Sequence, residues 1–205
     1  MAKSKRSQTR DTFVVGWTEC ALAILRKLSP FYWVQKKLFT DNYCVVDAWV
    51  ISWLCFSIVS YFLSFVFNNM WFLVIPAARI FDIVTYLVFV TLGTSDIRSS
   101  RRLLILLICN YLETIFWFAA CYSIFAAHHQ LLQVTGGPLR IALLRESIML
   151  MVANWSGHFT LVTTGVWIVV AIQDFIGLLM TIFIGAYFIS QLPRRTSADA
   201  DEKRR

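Results

Sequence analysis

Four charged side chains fall well inside long apolar stretches: Arg79, Asp82, Glu113 and Asp174. A charge at mid-bilayer costs about 2.5–3.5 kcal/mol on insertion scales, so such residues pair, face a bundle interior or line water. Arg79 and Asp82 are three apart and can pair on one helix face. Either they form an ion pair that holds helices together or they act directly; as a buried pair, losing one partner should be worse than losing both. Asn110 and Glu113 share another helix face, which predicts a contact with a second helix and makes Glu113 a buried structural or gating carboxylate. Asp174 is a further gating candidate. Catalytic and metal chemistry find less support. The chain has no HExxH, no GxSxG and no paired catalytic carboxylates. His128 and His129 are adjacent, a poor geometry for one metal, and His158 stands alone. The five cysteines show no CxxC and read as buried free thiols. The expectation is a protein without enzymatic activity, cofactor or metal.

The elements that must position these residues follow from composition. Of 205 residues, 58% are hydrophobic and 15% charged, against roughly 45–50% and 25% in soluble domains. The apolar residues come in four runs, Val45–Phe67, Trp71–Gly93, Leu103–Ala127 and Val166–Leu192. Each approaches the roughly 20 residues a helix needs to cross the hydrocarbon core. One small soluble core cannot hide four such helices. Barrel strands would alternate apolar and polar residues, and Leu103–Ile108 and Ile182–Ile189 do not. The predicted fold class is an all-α membrane protein with four transmembrane helices and a re-entrant pore-type helix between the third and fourth.

The net charge of +7 is concentrated at the ends. Residues 1–42 hold eight basic against three acidic side chains, and the segment after Pro193 holds five against three. Basic flanks mark the cytoplasmic side and attract anionic headgroups, so the expected partner is a bilayer and not nucleic acid. No cleavable signal peptide is expected. The Asn68-Asn69 turn lacks charge, whereas the loop Thr94–Arg102 carries Arg98, Arg101 and Arg102. Together these place both termini and the arginine loop inside, and the Asn68-Asn69 and His128-His129 regions outside. The setting that fits is a bacterial inner membrane. Residues 1–42 form a basic cytoplasmic or interfacial segment, in which Thr12–Leu28 reads as an amphipathic helix lying in the interface or packed on the bundle. Residues 43–100 form a two-helix hairpin, 101–193 a three-helix module, and 194–205 a basic tail.

Residues 128–165 interrupt the helical pattern. Gly136-Gly137-Pro138 breaks the chain, and Leu139–Val152 reads as a helix too short to cross a bilayer. A polar return follows through Asn154, Ser156, Gly157, His158, Thr160, Thr163 and Thr164. Non-helical backbone at membrane depth survives only when buried in protein or lining a wet cavity. Helix, short helix, polar return and helix is how a pore loop is built.

From Leu103 to Pro193 the chain resembles the two-helix pore module of bacterial potassium-channel-like proteins. The resemblance rests on Asn110-Tyr111-Leu112-Glu113 in the outer helix, on Ile172 to Leu179 (IQDFIGLL) in the inner helix, and on its close at Tyr187 to Pro193 (YFISQLP). Arg79 to Asp82 and the double arginine before the third span also look like a four-span bacterial subgroup. The resemblance implies a homotetramer, a pore helix containing Ser147 and Met151, and a filter at Ala153-Asn154-Trp155-Ser156-Gly157-His158. Potassium channels use a TVGYGD-like strand whose carbonyls replace the ion's hydration shell. Here only Gly157 agrees; Trp155 stands where glycine permits an unusual backbone, and His158 replaces the acidic residue at the mouth. The filter is therefore degenerate. The implied function is a monovalent-cation pore of weak or unknown selectivity; the alternative is a non-conducting pore fold acting as scaffold, sensor or partner subunit.

Overall fold

The computed structural model describes residues 24, 27, 43–66, 69–92, 100–128, 132–134, 137–154 and 159–191. The expected amphipathic helix, the loop bearing Arg98, the filter residues Trp155, Ser156, Gly157 and His158, and the basic tail lie outside the described residues, save two isolated positions of that helix. Helix α1 spans Tyr43–Leu63. A 3-10 turn at Met70–Leu73 leads into α2, Val74–Leu92. Helix α3 spans Ser100–Ala127, α4 Leu139–Met151 and α5 Thr164–Gln191. All four long helices are apolar and long enough to cross a membrane, which makes the chain a multi-pass membrane protein.

Local chemistry sets the ends of these helices. The Asn69 side chain accepts from the Trp71 amide at 3.1 Å, which starts the turn before α2. Pro76 falls in the first turn of α2, where its missing N–H removes no helical bond, so the span is not broken there. Gly137, with φ +91°, turns the chain into Pro138, and the Pro138 carbonyl accepts the Ala142 amide at 3.0 Å to begin α4.

The order of packing is what positions the polar residues. Helix α3 is central: it packs against α1, α2, α4 and α5. Its residues Trp117, Ala119, Ala120, Tyr122 and Ile124 are fully enclosed. Helices α1 and α5 instead leave large apolar side chains exposed, among them Ile51, Val59, Ile168 and Phe175. A helix apolar on its outside belongs in lipid or against another membrane protein. Two three-residue strands, β1 (Leu132–Val134) and β2 (Phe159–Leu161), pair antiparallel and clasp the two ends of the α4 segment. Sequence reading treated this region as an irregular polar return. Strands of three residues are too short to display a period of two.

Candidate functional site

Arg79 on α2 is enclosed on all sides. Its Nη1 donates to Asp82 Oδ2 at 2.6 Å. Its Nε and Nη2 donate to the two oxygens of Glu113 on α3 at 2.7 and 3.0 Å, a bidentate fork. Glu113 has no exposed surface and also accepts from Trp117 Nε1 at 3.0 Å. The Trp53 ring of α1 lies 5.0 Å from the guanidinium carbon, within cation–π range. One cation thus ties α1, α2 and α3 together at mid-span. Its position explains why two charges are tolerated in α2, since each bonded charge meets its complement out of contact with lipid.

Beside this cluster a cavity of about 20 Å³ is lined by Asn110, Asp82, Arg79, Tyr86 and Trp49, with apolar Val46, Val50 and Ile83. It has room for one water, which needs two to four polar partners. Asn110 Oδ1 is buried there without a protein partner. A second ion pair, Arg102 to Asp47 at 2.8 Å, closes α1 onto the start of α3.

The second polar cluster surrounds α4. Ser147 Oγ donates to the Ile115 carbonyl of α3 at 2.8 Å. From α5, Gln173 Nε2 donates to the Ser147 carbonyl at 2.8 Å and reaches its Oγ at 3.0 Å. Tyr122 of α3 donates to Gln173 Oε1. Tyr111 of α3 donates to the Met151 carbonyl at 3.2 Å, and Tyr61 of α1 to the Arg140 carbonyl. The short helix is therefore held by side chains from three long helices. Gly177 of α5 lets the end of α4 approach: a Cβ there would lie 2.4 Å from the Met151 oxygen. Tyr122 and Tyr61 were not singled out from the sequence, and Tyr111 and Gln173 entered only within the motifs of the resemblance, with no partner assigned. Polar residues spaced irregularly along apolar helices carry no local signal for which partner they meet.

Helix α4 closes on itself. The Asn154 amide bonds the Met149 carbonyl at 2.9 Å and the Ala153 amide bonds the Leu150 carbonyl at 3.0 Å. This is a Schellman closure, with Ala153 at φ +54° in the left-handed position that glycine usually fills. Ala153→Gly should accordingly raise the thermal midpoint in detergent, by the equivalent of about 1 kcal/mol, because a left-handed L-residue costs about that much. A lower midpoint would show that the Ala153 methyl makes a contact outweighing this strain.

Asp174 hydrogen-bonds into neither cluster, although its carboxyl lies within electrostatic range of Tyr122. It lies ten residues into α5 on a half-exposed flank, and its Oδ1 is without a partner among the described residues. Among the described residues no three His, Cys, Asp or Glu side chains converge on a metal-sized space. Comparison with family models, characterised proteins and solved structures found no match.

Proposed function

We propose that the chain is one subunit of an ion-channel-like membrane protein, in which copies of the α3–α4–α5 module surround a path for monovalent cations. The observation that carries this reading is Asp174. A carboxyl group at that depth, partly exposed and with a buried oxygen that has no hydrogen-bond partner among the described residues, is unfavourable against lipid by about 2.5–3.5 kcal/mol. Water or another subunit removes that cost. Ala171, Leu178, Thr181 and Gly185 continue the same flank at helical spacing, a row of mostly small or polar residues suited to a subunit seam or a wet wall. Helix α4, 13 residues long, spans only about 20 Å and suits a re-entrant element more than a crossing. In this reading both termini are cytoplasmic, in a bacterial inner membrane; a thiol at Asn69→Cys should react with an impermeant reagent only from outside.

A non-conducting role is favoured by one feature. The carbonyls at the end of α4 would offer partial negative charge to a cation. Those of Met149, Leu150 and Met151 already accept from the chain's own amides and from Tyr111. Bilayer recording with ion substitution, paired with cross-linking through Leu178→Cys, separates the readings. A cation current lowered by Asp174→Asn, from a cross-linked tetramer, supports the pore. A tetramer silent at every voltage supports the non-conducting role. Silence without cross-linking sinks both.

A further inference from the structure

A cavity of about 380 Å³ lies between α2 and α5, floored by α3. Its lining runs from Leu73, at the end of the 3-10 turn, along α2 through Ala77 and Ile80 to Val84; the floor is Phe118, Cys121 and Phe125. The volume is typical of a small-molecule site. The lining has nothing to hold water, since its only heteroatom-bearing side chain is the Cys121 thiol, and apolar cavities without polar partners stay dry. Hydrocarbon is the occupant that fits.

We infer that this groove binds a single acyl chain of a membrane phospholipid. The first support is length. From Leu73 to Val84 the groove follows α2 for about 16 Å at 1.5 Å per residue, close to half of the roughly 30 Å hydrocarbon core. That is the depth of one leaflet. The groove also keeps to one end of the bundle, using the first halves of α2 and α5 and the second half of α3, the end that carries the β-ribbon. The second support is direction. At 3.6 residues per turn, Val169, Ile172 and Ile176 of the groove lie on the side of α5 opposite Asp174, Leu178 and Gly185. With the Asp174 flank turned to the pore or seam, as proposed above, the groove opens on lipid.

The test uses proteoliposomes of phosphatidylcholine doped with a phosphatidylcholine bearing a photoreactive diazirine in one acyl tail. Adducts are mapped by mass spectrometry. Labelling should concentrate on Ile80, Cys121 and Ile172 over the exposed α1 residues Ile51 and Val59. Ala77→Phe, which fills the groove from an exposed position, should remove most of the groove labelling, because its ring takes the space the chain would occupy. Labelling at Ile51 and Val59 should not change. Ile172→Trp provides a second plug should the first fail to fold. Equal labelling at groove and α1, or indifference to both plugs, overturns the inference. So does labelling by a photoreactive free fatty acid alone, or a disulfide between two copies carrying Ala77→Cys. Leu178→Cys cross-linking reports the pore seam separately, so failure of the pore reading and failure of the lipid site remain distinct.

Discussion

Glu113→Ala should lower stability in mild detergent by about 1–3 kcal/mol, because the buried Arg79 loses its two-bond fork and keeps only its bond to Asp82. The geometry makes Glu113 the critical carboxylate. It takes two of the three Arg79 hydrogen bonds, whereas Asp82 takes one. Asp82→Asn leaves the Glu113 fork intact and should be milder. Arg79→Met strands two carboxyl groups and should match or exceed Glu113→Ala. The triple variant Arg79→Met/Asp82→Asn/Glu113→Gln, with no charge left, should be more stable than Glu113→Ala alone, as replaced buried ion pairs often are. Thermal midpoints and the monodisperse fraction on size exclusion give the order. Equal losses in all four variants would mean that the cluster does not act as one electrostatic unit. The sequence alone predicted that losing both Arg79 and Asp82 is better than losing either. Glu113 changes that order, because the double variant would leave its carboxylate buried alone.

That difference marks the limit of what was legible. Arg79 and Asp82 stand one helical turn apart, so their pairing could be read from spacing. Glu113 is 34 residues from Arg79, and only tertiary packing brings the two together. The four long helices were readable because twenty apolar residues in a row have few other uses. Their ends shifted by a few residues: α1 stops at Leu63, before the apolar run does, and α3 starts at Ser100, within the basic loop. Gly136-Gly137-Pro138 announced the start of α4, since proline suits a first turn. The clamp on α4 was hidden. Gln173 stands within an apolar inner-helix sequence, and nothing local says that it meets Ser147 on one side and Tyr122 on the other. Asp174, its neighbour, hydrogen-bonds to none of them, though its carboxyl lies within electrostatic range of Tyr122. Adjacent polar residues on one helix point about 100° apart, so only the packing decides which becomes structural and which stays available.

Gly177 and Gly185 give the sharpest case of that rule, and the second large expected effect. Both lie inside α5, where Gly→Ala ordinarily gains about 1 kcal/mol of helix propensity. At Gly177 the gain should be reversed. The added Cβ would lie 2.4 Å from the Met151 oxygen and 2.8 Å from its Cα. Even a close C–H···O contact needs about 3.3 Å. These are backbone atoms at the closed end of α4, so no side chain can swing aside to make room. Helix α4 must move off α5, which strains the Gln173 bonds to Ser147 and the Tyr111 bond to Met151. Gly177→Ala should then cost about 1–3 kcal/mol, and Gly177→Val more. At Gly185 a Cβ meets nothing within 4 Å of the chain, so Gly185→Ala should be neutral or stabilising in the isolated subunit. If the chain assembles through the Asp174 flank as proposed, a penalty at Gly185 should appear only in the assembly. Thermal midpoints of both alanine variants decide the matter. A Gly177→Ala variant as stable as the parent would mean that α4 does not rest against α5 at this point.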